Sequence, residues 1–273
     1  MKQFQLHVFF QIIGIGSASG LLYHNNLLYI ISDNSTYLYA YNLDSKSVVK
    51  IPLVKNPKEN ILKKEKLDFE SIHLHQNKLH IFSSASTKNR NSVITYSLED
   101  NTIDTYDQSS NYRMLERLFG FKLHQLNIEG VINHQDFVYL FQRGNGLDNK
   151  NGIFKIHNFG KTKPEFFEIK LPHIQNIEAT FTDAILLQDT IYFLAAVENT
   201  DSTYNDGEIL GTFVGSMKIN DFSELKTVLI SETNKFEGIT FYKQTAESIE
   251  FLLCEDNDTE DLNSNIYKLQ IKK

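Results

Sequence analysis

Five short segments along the chain place an oxygen-bearing side chain directly before a small residue: Ser19-Gly20, Glu70-Ser71, Glu129-Gly130, Glu178-Ala179 and Glu237-Gly238. Carboxylates and a hydroxyl are hard oxygen donors. Gathered at one point they suit a hard cation, and Ca2+ tolerates irregular oxygen geometry better than Mg2+. Zn2+ would call for His or Cys, and the nine histidines show no metal-ligand spacing; His73 and His75, on one strand face, read as structural. Gathered without compensation, the carboxylates repel one another by about 4 kcal/mol per pair at 4 Å and an effective dielectric of 20. A bound cation, protonation of some Glu, or an Arg or Lys reaching in would each relieve this. Alternatively, each Glu accepts hydrogen bonds from neighbouring backbone N–H groups and ties the structure together without metal.

What would gather them is a repeat. Each segment opens a strand, polar turn and second strand, as in Ser19 to Ile31 and Glu70 to Phe82. Two more strand-like runs follow each hairpin, Tyr37 to Leu43 and Ser47 to Leu53 in the first copy. Successive copies start 51, 59, 49 and 59 residues apart, which suits a four-stranded propeller blade with variable loops. The last copy has room for only three strands, whereas the chain begins with an unassigned strand, Phe4 to Phe10, ahead of the first hairpin. Laid on the edge of the last blade, it closes the ring and leaves no open sheet. The expected fold is all-β: a five-bladed β-propeller, one domain over 1–273, with a short helical insert near 109–119. That insert, with Met114, Leu115, Leu118 and Phe119 at near-helical spacing, either packs between blades or covers one mouth of the channel.

In a propeller the innermost strands run along the central axis, so equivalent positions form a ring. Ser19, Glu70, Glu129, Glu178 and Glu237 are the expected metal ligands, and the small residues after them allow close backbone approach. The loops after each second strand open on the same face. They give a candidate ligand-binding rim of Asp33, Asn34, Arg143, Asn145, Glu198, Glu255 and Asp256, with Asn257 beside them. Arg143 would offset negative charge or grip an anionic ligand.

Composition narrows the function classes. The net charge is −7, and Lys and Arg are scattered apart from Lys63-Lys64-Glu65-Lys66, which reads as a solvated loop. Nothing forms a nucleic-acid footprint, and no apolar run reaches the length of a membrane span. A single cysteine, Cys254, excludes an internal disulfide framework and reads as a small buried residue. A cytoplasmic monomer is expected, with a secreted or periplasmic location as the alternative, because Val8 to Ile13 has the look of a weak signal peptide while the repeat needs it as a strand.

The order of the ring residues and the strand–turn–strand repeat resemble the calcium-activated nucleotidase (apyrase) family of five-bladed propellers. In that family the innermost strands supply Ser, Glu, Glu, Ser and Glu to a central Ca2+. Ser19, Glu70, Glu129 and Glu237 match in type, and Glu178 stands where the second Ser would be. The Glu-Gly starts also resemble bacterial propellers of the esterase-like phytase group and related uncharacterised families. The resemblance implies a five-bladed fold with a central Ca2+. Two functional readings follow. One is a calcium-dependent hydrolase of phosphate or other esters at the channel mouth, with Arg143, Asp33, Glu198 and Asp256 nearby. The other is a non-catalytic propeller whose ion staples the blades while the rim binds a ligand or protein.

Overall fold

A computed structural model describes residues 3–146, 150–158, 160–200, 202, 207–256 and 262–273. The five repeats become five four-stranded antiparallel sheets. Blade one holds β2 (Ala18–His24), β3 (Leu27–Ser32), β4 (Tyr37–Asn42) and β5 (Ser47–Pro52). Blade two holds β6 (Phe69–His75), β7 (Lys78–Ser83), β8 (Ser92–Ser97) and β9 (Ile103–Asp107). Helix α1 (Ser109–Phe119) then leads into blade three, β10 (Ile128–His134), β11 (Phe137–Gln142), β12 (Gly152–His157) and β13 (Glu165–Glu168). A two-stranded hairpin, β14 (His173–Ile174) with β15 (Ile177–Glu178), precedes blade four, β16 (Thr180–Leu187), β17 (Thr190–Asn199), β18 (Glu208–Lys218) and β19 (Lys226–Ser231).

Blade five closes the ring. Its strands β20 (Lys235–Gln244), β21 (Ser248–Asp256) and β22 (Asn263–Lys272) are completed by β1 (Phe4–Ile13), which pairs antiparallel with β22 from Phe4↔Ile271 to Ile13↔Asn263. The segment that could pass for a signal peptide is thus structural in this fold, filling an edge that would otherwise expose unpaired backbone groups.

The hairpins form where local chemistry dictates. Asn25-Asn26 and Gln76-Asn77 both have positive φ at two successive residues, as a tight type I′ turn requires. Apolar residues then alternate along the strands and face the neighbouring blades on both sides. Five separate apolar clusters result, one per seam: Leu21 and Tyr39 with Leu252 and Ile266 between blades one and five, Phe181 and Phe193 with Phe141 and Ile153 between blades three and four, and similarly around the ring. Helix α1 belongs to the seam between blades two and three, where Tyr112 and Leu115 are buried among Val131, Leu140 and Phe154. It is the packing insert rather than a cover for the channel.

Near the axis the backbones meet. A Cβ on Gly238 would lie 2.5 Å from Leu21 Cδ2, 2.6 Å from Cys254 Sγ and 3.0 Å from the Gly20 Cα, so blades five and one close only with glycine there. Replacing Gly238 by Ala is expected to destabilise the fold by about 1–3 kcal/mol, the usual scale of overpacking. Urea unfolding followed by circular dichroism measures it, and an unchanged midpoint would contradict this account of the seam.

Candidate functional site

The innermost hairpin of every blade carries a β-bulge at the same step. The register skips one residue between Ala18 and Gly20, between Phe69 and Ser71, between Ile128 and Gly130, between Phe181 and Asp183, and between Phe236 and Gly238. A bulge leaves its extra residue out of the ladder and re-aims its side chain. The skipped residues are Ser19, Glu70, Glu129, Thr182 and Glu237. Four of the five expected ring members therefore occupy equivalent positions in the register, and Glu178 does not. Glu178 lies outside blade four in the β14–β15 hairpin, where its carboxylate accepts a hydrogen bond from Leu171 N at 2.9 Å and sits 3.7 Å from Lys170 Nζ. The ring reads Ser, Glu, Glu, Thr, Glu.

The two hydroxyls tie blades together. Ser19 Oγ donates to the Phe69 carbonyl at 2.5 Å and Thr182 Oγ1 to the Phe236 carbonyl at 2.7 Å. In each case the acceptor is the residue just before the ring glutamate of the next blade. Beside Thr182, the Asp183 carboxylate accepts from Ile239 N at 2.8 Å, a second tie across the same seam. Backbone-accepting ties between blades exist, as the metal-free reading required, but Asp183 rather than the ring glutamates makes this one.

Two residues before each ring member lies a second polar set: Ser17, Asp68, Asn127, Thr180 and Lys235, all buried. This set supplies much of the compensation that the carboxylates require. Lys235 Nζ lies 2.7 Å from Glu237 and 4.0 Å from Asp256. Asn127 Nδ2 donates to Glu129 at 2.7 Å. Asp68 accepts from Arg90 at 2.7 Å and from Ser84 Oγ. Burial opposes the charge on Lys235, but Glu237 nonetheless holds its pKa above the ordinary lysine range.

The rim residues differ in what they engage. Arg143 is buried and bridges two blades, donating to Glu129 at 3.1 Å and to Glu198. Its two terminal nitrogens offset the charge of Glu129 and Glu198, while its Nε is buried without a partner. Asp33 pairs with Lys66, so that lysine belongs to the site and not to a solvated loop. The Asp33 carboxyl is pushed up to about 7 by burial, against the pull of Lys66, with Asp256 and Asp68 adding repulsion. That coupling places blades one, two and five at one mouth. Asn34 accepts from Ser32 Oγ at 2.9 Å, and Asn145 accepts from Asn127 at 3.4 Å and donates to the Ser202 carbonyl at 3.3 Å. Glu255 faces its own blade, accepting from Asn234, from Asn265 at 2.9 Å and from Tyr267 at 2.7 Å. Asn257 lies outside the described residues.

One ring residue differs from the rest. Glu70 is the ring member that is not fully buried, and it makes no hydrogen bond or ion pair among the described residues. Its pKa is driven well above the ordinary value by desolvation and then by Glu129, Asp68 and Glu237. Beside it, Glu129 Oε2 is buried without a partner. Oxygen donors of this kind suit a hard cation chemically. As the side chains stand, however, Lys235 engages Glu237, and among the described residues no three of His, Cys, Asp or Glu converge as a metal site. Away from the axis, His73 stacks on His80 at 5.1 Å, bonds Asn133 at 2.5 Å, and has its pKa pushed down to about 3 by burial and then by His80. Cys254 is fully buried, as read from the sequence.

Residues 14–271 match the model of a family of unknown function, DUF6929. No curated protein matches the sequence. Among solved structures, the chain is similar to the major Malassezia sympodialis allergen Mala s 1 at 11% identity and a TM-score of 0.57, covering 95% of each chain. It is also similar to an engineered GH43 glycoside hydrolase, at 7% identity and a TM-score of 0.56, and to the GH43B of a Bacteroides ovatus xyloglucan locus, at 7% and 0.53. It covers 96% and 97% of itself in these two matches but 51% and 54% of the enzymes, so it spans about half their length. At such identities the likeness establishes the propeller fold alone. No helix among the described residues is long and apolar enough to cross a membrane.

Two outcomes test the charge arrangement. Arg143→Met strands Glu129 and Glu198 and is expected to cost about 3–5 kcal/mol in chemical denaturation at neutral pH, part of it recovered when Glu129→Gln is added. Glu70→Gln should act in the opposite sense. A carboxyl whose folded pKa is raised loses stability as pH climbs from its unfolded value, about 4.3, toward the folded one. Without divalent cations the variant should match the parent below about pH 4 and become the more stable of the two as pH rises; parallel stability–pH curves would refute the assignment.

Proposed function

This chain belongs to the DUF6929 family, and from the geometry of its channel mouth we propose that it is a cation-binding propeller whose axial site takes one hard divalent ion, Ca2+ by preference, at Glu70 and Glu129. The observation that carries the reading is a pair of carboxylates: Glu70, with no hydrogen bond or ion pair among the described residues, and Glu129, whose Oε2 is buried and unbonded. Asp33 Oδ1 is likewise buried and unbonded, but its other oxygen is held by Lys66. Ser19 and Thr182 support the same reading. Each hydroxyl sends its proton to a backbone carbonyl, which leaves its lone pairs for an acceptor role. A hydroxyl in the fourth place is also what the nucleotidase resemblance implies.

Binding needs movement. Ca2+ takes six to eight oxygens at about 2.3–2.6 Å, so Glu70 must swing toward Glu129, and water completes the shell. Burial and then the neighbouring carboxylates raise the Glu70 pKa, and a bound cation would lower it again, so binding is coupled to proton release and strengthens as pH rises. The reading favours binding over phosphate chemistry, since the terminal nitrogens of Arg143, Lys66 and Lys235 are each held by carboxylates.

Isothermal titration of the full chain with CaCl2 and with MgCl2 tests this. One Ca2+ per chain is expected, bound more tightly than Mg2+, with Glu70→Gln and Glu129→Gln each weakening it at least tenfold. Absence of saturable binding up to millimolar Ca2+, or a Glu70→Gln variant that binds as well as the parent, would reject the proposal. A parallel panel of p-nitrophenyl phosphate and acetate esters should show no calcium-dependent turnover, and turnover abolished by Glu70→Gln would move the reading to the hydrolase.

A further inference from the structure

The seam between blades two and three opens outward into a cleft of about 1070 Å³, the upper end of the size of small-ligand sites. Helix α1 forms one side, the β6–β7 turn and the β12–β13 connection the other. Both of those connections follow strands that run away from the channel mouth, so the cleft is separate from the axial site. On the helix side the lining is apolar, with Leu118, Met114, Val138 and Ile156; Leu118 and Met114 are 54% and 41% exposed.

The charge of the lining is the unusual feature. Lys78, Lys161 and Lys163 contribute, Lys78 lying 3.9 Å from Asp104 outside the lining, together with His75, His80 and His157, and no Asp or Glu is among the described residues that line it. The chain has 34 acidic residues in 273, so about three would be expected among the 25 that line this cleft. A second observation lies inside. Tyr112 is 5% exposed, and its hydroxyl is buried without a hydrogen-bond partner while the side chain lines the cleft. A buried hydroxyl left unbonded costs free energy that a ligand atom would recover.

We propose that this cleft binds a small amphipathic anion, an apolar body carrying one carboxylate, with the body along Met114, Leu118 and Val138 and the carboxylate held by the Tyr112 hydroxyl in the field of the lysines. The apolar wall alone would accept any hydrophobe. The lysines, with no carboxylate among the described lining residues, favour the anion over a cationic amphiphile.

The test is titration calorimetry of the full chain in EDTA, which removes any axial ion, with decanoate, decanol and decyltrimethylammonium. One decanoate per chain is expected, decanol at least tenfold weaker, and the cation without measurable binding. Lys161→Glu combined with Lys163→Glu, both at exposed positions, should weaken decanoate at least tenfold with the melting temperature unmoved. Tyr112→Phe keeps the ring and should weaken it several-fold. Decanol binding as tightly as decanoate, no saturable decanoate binding below millimolar, or a charge-reversed variant that binds like the parent would each overturn the proposal. None of these outcomes depends on whether the axis binds Ca2+.

Discussion

Burying like charges around an axis is the constraint on which the centre of this molecule depends. Five bulges take five side chains out of the ladder, and three of those are carboxylates. Bare carboxylates in a low-dielectric core would lose more solvation than packing returns. The structure answers with cations from two sources. Lys235 comes from the same strand as its partner, two residues earlier, whereas Arg143 comes from the loop of blade three and spans to Glu198 of blade four. Arg143 is therefore both a charge neutraliser and a link between blades. Glu70 is the residue for which no such partner is provided.

The residue type at each bulge follows from what the neighbouring blade offers. A hydroxyl can donate to the carbonyl before the next ring residue, and it does so at Ser19 and Thr182. An ionised carboxylate cannot donate, so Glu70, Glu129 and Glu237 must face the axis and find donors or cations there. Seams with a hydroxyl are tied by it near the axis, and those without one rely on apolar packing and on side chains such as Arg143. This division explains why the ring mixes structural and electrostatic members instead of acting as one symmetrical cage.

The blades were legible because hairpins are local. Period-two alternation, Asn-Asn and Gln-Asn turns, and small residues at the axial approach all lie within about fifteen residues of each other, and the closure by β1 followed from counting strands. Glu178 misled because Ile177-Glu178-Ala179 imitates the apolar–acid–small start of the other copies. The spacing held a clue: with Thr182 the intervals become 51, 59, 53 and 55, more even than with Glu178. The polar set at 17, 68, 127, 180 and 235 was also readable, as five polar residues each two before a ring member. What could not be read were pairings across long separations, such as Lys66 with Asp33 or Arg143 with Glu198, since nothing local selects one cation over another.

Charge is sorted in this molecule. Acidic groups concentrate at the channel mouth, where internal cations hold them, and the cleft beside α1 is lined by lysines and histidines without a carboxylate. Both features belong to the architecture of the blades. The inner strands repeat, so any acid placed at the bulge recurs around the axis and must be neutralised there. The outer turns do not converge, so each can carry its own charge at little electrostatic expense. Helix α1 then turns one of these outer seams into a partly enclosed space by laying Tyr112 and Leu115 into the gap between blades two and three. An inserted helix on a repeat scaffold thus makes one seam chemically distinct from four others built from the same strands.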